Sequence, residues 1–187
     1  MNSRDYELEL AIMRLRTKKN RRKLIIGLLV WCICIWGLLH RMYGISIVSG
    51  NSMRPAFWAG DVVIYRRGNL DQLSSGDVVI LQSWLDKGKN YVKRVNAVPG
   101  DIISVDDKGY LEKNGEAVKE PEVLHGYQQT DSEIHYPYRL AENEYFCMGD
   151  NRPVSLDSRT FGPVSKSQML GKVVAVVRFR VGLSDGV

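Results

Sequence analysis

The sequence predicts a mainly β protein: a β-sheet barrel or packed-sheet domain preceded by a single N-terminal transmembrane helix. Three observations lead there. Residues 24–39, LIIGLLVWCICIWGLL, form a run of sixteen residues without a charge or a proline. From Val48 onward the chain breaks into short β-branched and aromatic runs parted by glycine and asparagine turns. Beyond the apolar run little shows a helical period, apart from a short turn at 165–170.

The 187 residues leave room for one modest domain plus an anchor. Residues 1–23 carry eight Lys or Arg against Asp5, Glu7 and Glu9, which accounts for the whole net charge of +5. The remainder balances 18 basic against 18 acidic side chains, so the folded part is neutral and lacks a nucleic-acid footprint. The apolar run is slightly short of the roughly 20 residues that cross a bilayer. The residues from Met42 to Val48 are mostly apolar and extend it, with His40 and Arg41 snorkelling and Trp36 and Tyr43 as interfacial anchors. A core helix of a soluble protein would show a polar face, which this stretch lacks.

Positive residues before the span and few after it place the N-terminus in the cytoplasm. The expected organisation is a basic cytoplasmic segment at 1–23, a transmembrane signal anchor at 24–47 and an extracytoplasmic β-rich domain at 48–187. A cleaved secretory signal is disfavoured, because the run is long for one and Gly44-Ile45-Ser46 is a poor cleavage site. Cys32 and Cys34 lie in the span and Cys147 stands alone, so no disulfide framework is expected. His40, His125 and His135 are scattered without metal-ligand spacing.

Strands are expected at 62–65, 78–81, 91–95, 102–105, 110–113, 144–148 and 171–179, with Asn114-Gly115 as a hairpin turn. Residues 84–90 and 117–143 read as surface excursions.

Three segments carry candidate chemistry. In Ser49-Gly50-Asn51-Ser52-Met53-Arg54-Pro55, Gly50 lets the backbone turn sharply before a serine, and apolar Met53, Phe57 and Trp58 crowd around it at the expected depth of the membrane surface. Taken alone, Ser52 reads as a turn cap rather than as a nucleophile. In Tyr91-Val92-Lys93-Arg94-Val95, neighbours point to opposite faces of a strand, so either Lys93 or Arg94 points inward. A buried lysine held neutral is a candidate general base. Bringing its pKa from about 10.4 to about 8 costs on the order of 3 kcal/mol. The alternative turns Arg94 inward toward a carboxylate and leaves Lys93 solvated. The third segment, residues 149–162, packs two acids, two arginines, two serines and two glycines into fourteen residues. Such a loop is either structural or the rigid support of a reacting pair.

Taken together, these segments resemble the bacterial type I signal peptidases, or leader peptidases, from about Val48 through Phe179. The matching motifs are Ser52-Met53-Arg54-Pro55 with Gly60-Asp61, then Gly76-Asp77, then the lysine strand closed by Pro99-Gly100-Asp101. The last is Gly149-Asp150-Asn151-Arg152 with Ser155, Asp157-Ser158-Arg159 and Gly162. The resemblance implies that Ser52 is the nucleophile and Lys93 its general base, with Ser155 orienting the amine. Asp157 with Arg159, and Asp150 with Arg152, would support the site. The Ser52 N–H would donate to the oxyanion. Some relatives carry a hydroxyl where Gly50 stands, so here a second donor comes from backbone or water. The threonine usual after the proline is Ala56. Neither cofactor nor metal is implied. The expected partners are exported preproteins with signal peptides and the lipid bilayer, with no nucleic acid.

Rival readings are a His-based triad using His125 or His135, a soluble Ser/Lys repressor-type protease, and a membrane-tethered non-catalytic binding or scaffold module. A dedicated processing peptidase for a narrow substrate set such as pilins is a further variant. The anchor argues against the repressor type, and the joint presence of Ser52, Lys93 and Ser155 against inactivity.

Overall fold

No proline interrupts the first 54 residues, and strong helix formers dominate them, so one helix, α1, runs from Ser3 to Met42. The computed structural model describes residues 3–68, 70–82, 88–106, 108–120, 122–126 and 134–178. The chain divides into two units, Met1–Met42 and Tyr43–Val187. Within the first, Arg16–Met42 is long and apolar enough to cross a membrane.

The helix departs from the sequence expectation at both ends. It takes in the basic segment, and it stops at Met42 rather than running on to residue 47. Tyr43–Ile47 is instead a strand, β1, paired antiparallel with β2, Val62–Arg66. Gly44 faces Tyr65 in that register. A β-carbon there would collide with the Tyr65 ring, so the two strands fit closely only with glycine. The apolar residues that seemed to lengthen the span serve a sheet edge.

The second unit is built from antiparallel strands. The others are β3 (Val78–Gln82), β4 (Asn90–Ala97), β5 (Ile102–Val105), β6 (Leu111–Lys113), β7 (Glu116–Ala117), β8 (Tyr138–Arg139), β9 (Glu144–Met148), β10 (Val164–Ser165) and β11 (Met169–Val177). Seven form one sheet in the order β1-β2-β11-β3-β4-β9-β10, and four form a smaller one, β7-β6-β5-β8. The larger sheet bends through irregularities in register along β11 and between Val95 and Ala97 on β4. Asn114 and Gly115 both take positive φ, the backbone a tight hairpin turn needs, and join β6 to β7.

Three apolar clusters make the core. Val79, Leu81, Val95 and Cys147 fill one. Val48, Met53, Phe57, Val63 and Ile80 fill a second. In the third, Ile103 and Leu111 of the small sheet meet Ala97, Phe146 and Met148 of the large one, which packs the two sheets together.

The excursion expected at 117–143 is therefore not wholly irregular, since β7 and β8 bound it; its residues 127–133 lie outside the described residues, as do 83–87 of the earlier one and Phe179. The turn expected at 165–170 is a short 3-10 helix, Lys166–Gln168.

Candidate active site

Strand β4 sits between β3 and β9, and its alternation decides the question left open at residues 93 and 94. Register pairs Lys93 with Val79 and Arg94 with Val78. Lys93 is the inward residue, 2% exposed. Arg94 points to the other face, where its Nε and Nη2 donate to the Asp150 carboxylate at 2.8 and 2.6 Å.

Burial brings the Lys93 amine down to about 8 from its ordinary 10.5. The Asp157 charge opposes that shift and Arg159 adds to it. The Tyr91 ring lies 5.8 Å from Nζ. Among the described residues, Nζ donates its side-chain hydrogen bond to Ser155 Oγ, at 2.9 Å, rather than to Ser52.

Ser52 stands in a tight turn, where Arg54 N–H donates to the Asn51 carbonyl and Phe57 N–H to the Met53 carbonyl. It is half-buried. Asn151 grips the turn from the loop opposite. Its N–H donates to the Ser52 carbonyl at 2.9 Å, and its side-chain amide donates to the Asn51 carbonyl at 3.1 Å. Gly149 closes the gap between the two halves. A β-carbon there would strike both Ser155 Oγ and the Ser52 carbonyl, so only glycine lets the serine turn lie against the partner of the lysine.

Ser155 is fully buried, accepts from Lys93, and helps to hold the Asp157 carboxyl low. Asp157 caps the short helix α2, Ser158–Phe161, by accepting from Arg159 N–H. Its carboxylate also takes Arg159 Nε and Nη2, each at 2.9 Å, and Gly149 N–H at 3.0 Å. Burial alone would raise the Asp157 carboxyl, but these donors hold it below the usual carboxylate range.

Ser52 and Lys93 line one cleft of about 630 Å³, with Gly50, Met53, Val154 and Leu156 among its walls. A β-carbon on Gly50 would meet open space.

Several sequence expectations need correcting. Asp150 does not pair with Arg152. It takes Arg94, while fully buried Arg152 takes Glu120 at 2.7 Å. Phe57 does not face substrate or membrane, because it is buried in the core with Val48 and Val63. Met53 is likewise buried at its core end, although it borders the cleft. Trp58 is 45% exposed, with the Arg54 guanidinium 4.3 Å above its ring. His125 stacks on Tyr110, and His135 belongs to no pairing with a serine among the described residues.

Sequence reasoning did not single out Glu120, Asn151 or Arg94 as supports. Asn151 was visible within the motif at 149–152. Glu120 gave no signal, since its partner lies 32 positions away.

Comparison with known proteins agrees with the motifs. The family model described as "Signal peptidase, peptidase S26" matches residues 21–178. The chain is 31% identical over 159 residues to signal peptidase I of Bacillus licheniformis, covering 80% of this chain and 82% of that one. To signal peptidase I of Bacillus caldolyticus it is 33% identical over 156 residues, covering 75% and 83%. To signal peptidase IB of Staphylococcus aureus strain COL it is 31% identical over 144 residues, covering 67% and 73%. A crystal structure of a signal peptidase I from Enterococcus faecalis V583 superposes with a TM-score of 0.45 at 26% identity, covering 56% of this chain and 97% of that one.

Proposed function

This chain belongs to the signal peptidase family, peptidase S26, and from that premise we propose that it cuts signal peptides from exported preproteins by a serine–lysine dyad, Ser52 and Lys93. The observation that carries the reading is the buried Lys93 amine, held to Ser155 at 2.9 Å in the cleft it shares with Ser52.

Neutral Lys93 takes the Ser52 hydroxyl proton as Oγ bonds to the scissile carbonyl carbon. The Ser52 N–H donates to the oxyanion that develops. The carbon–nitrogen bond then breaks, and Lys93 returns the proton to the departing amine. Lys93 next deprotonates a water, which attacks the ester, frees the carboxylate of the signal peptide and restores the serine. Ser155 orients the amine, while Asp157 with Arg159 fixes Ser155. The substrate lies in the cleft as an added extended strand, its small side chains at the first and third positions before the cut. Helix α1 anchors the protein in the cell membrane, with the N-terminus cytoplasmic and the β unit extracytoplasmic.

Cleavage of a model preprotein in detergent by wild type, Ser52→Ala and Lys93→Ala tests this. Both variants are expected to fold and to lose nearly all turnover. Full activity in Lys93→Ala refutes the base, and full activity in Ser52→Ala moves the nucleophile elsewhere.

A further inference from the structure

Arg152 is 0% exposed, so its charge has no water to rest in. It spends its donors inside the protein: Nε to the Gly149 carbonyl at 3.0 Å, Nη1 to the Gly109 carbonyl at 3.3 Å, and Nη2 to Glu120 Oε1 at 2.7 Å. Glu120 Oε1 accepts a second bond, from Asn96 Nδ2 at 2.8 Å. Asn96 sits at the break in register between β4 and β9, and its Oδ1 takes Met148 N–H at 3.0 Å in place of a ladder bond. One carboxylate oxygen thus joins the strand that carries Lys93 to the loop that carries Gly149.

The other end of this linkage is the reacting pair. Gly149 leaves room for both Ser155 Oγ and the Ser52 carbonyl where a β-carbon would strike them, and its N–H holds Asp157. A tilt of the Gly149 peptide therefore moves the support of the amine and the turn of the nucleophile together. The segment bearing Glu120 is tied down independently, since Leu124 N–H donates to the Asp150 carbonyl and Arg152 N–H to the Leu124 carbonyl. Among the described residues Glu120 Oε2 has no hydrogen-bond partner, and Oε1 makes both of the contacts to Arg152 and Asn96. Its side chain is 8% exposed, which keeps solvent from substituting for the ion pair.

We propose that Glu120 is a positioning residue for peptide-bond cleavage: by holding Arg152 against the Gly149 carbonyl it sets the distance between Ser52 and Lys93. The proposal rests on the assignment of those two residues. Glu120 touches no reacting atom, and its effect passes through Arg152 and Gly149.

Two variants, Glu120→Gln and the double replacement Glu120→Met with Arg152→Met, separate positioning from folding. Breaking one side of a buried ion pair destabilises strongly, whereas replacing both by apolar groups is often tolerated. Each is assayed on a model preprotein in detergent beside wild type and Ser52→Ala, at a temperature where circular dichroism shows it folded. The expected result is a fall in kcat of about 30-fold or more with KM within about twofold, since misplacement of a reacting group acts on the transition state. Wild-type kcat in either folded variant overturns the proposal. Failure of both to fold makes the pair purely structural and overturns it as well. Activity in Ser52→Ala refutes the dyad instead, whatever Glu120 does.

Discussion

Replacing Lys93 by methionine is expected to abolish turnover and, at neutral pH, to make the protein more stable. The amine sits at about 8 in the folded chain against 10.5 in the free side chain. That difference is about 3 kcal/mol that folding must supply while the amine is charged in both the folded and the unfolded chain. The folded value lies below the unfolded one, so the penalty is full below pH 8. It is relieved as pH rises from 8 to 10.5, where the unfolded chain still binds the proton and the folded one has lost it. Methionine has similar length and no charge, but it gives up the bond to Ser155, worth about 1 kcal/mol. The net expectation is a variant more stable by about 2 kcal/mol at pH 7, and less stable by about 1 kcal/mol near pH 11. Urea unfolding of the full chain in detergent, followed by intrinsic fluorescence at several pH values, reads this directly. A variant less stable than wild type at pH 7, or an offset that does not change with pH, refutes the claim that burial lowers the amine's pKa.

Under the proposed mechanism the same amine sets the pH dependence of cleavage. The ratio kcat/KM should climb about tenfold per pH unit and level off near pH 8, and an optimum near pH 5 would contradict a lysine base. Gly149→Ala should lower kcat by about 100-fold or more with the fold preserved by circular dichroism, because the added carbon meets Ser155 Oγ and the Ser52 carbonyl. Near-normal turnover in that variant would mean the two halves of the site need not touch.

How much of this was legible beforehand depended on the range over which each residue acts. The strands at 102–105 and 144–148 emerged at their observed bounds because β-branched and aromatic runs between turns are local signals. β8 and β10 are two residues long and leave no pattern to detect. β1 was hidden for another reason: Ile45 and Ile47 stand immediately beyond an apolar helix, where alternation is indistinguishable from continuation of the span. Lys93 and Arg94 were known to part to opposite faces, but which one enters the core is a matter of register against β3 and β9. The ion pairs were hardest. Asp157 and Arg159 are two positions apart and meet across a helix cap. Arg94 reaches Asp150 across 56 positions and Arg152 reaches Glu120 across 32, so proximity in sequence pointed Asp150 at the wrong arginine.

Those pairings bear on how a lysine can keep a lowered pKa beside a loop so rich in acid. A free carboxylate within ion-pair distance would favour the charged amine and remove the base. Here Asp150 is taken by Arg94, Asp157 by Arg159 and Glu120 by Arg152. No carboxylate among the described residues forms an ion pair with Lys93, and the polar group it meets is a hydroxyl, Ser155 Oγ. Arginine suits the task because it does not deprotonate and its fork occupies both carboxylate oxygens, as it does at Asp150 and Asp157. A lysine in place of Arg94 or Arg159 would leave an oxygen free and share the proton among amines. The three arginines thus do opposite work to what their charge suggests: they keep the acids occupied, so that among the described residues the buried amine pairs with a hydroxyl rather than with a carboxylate.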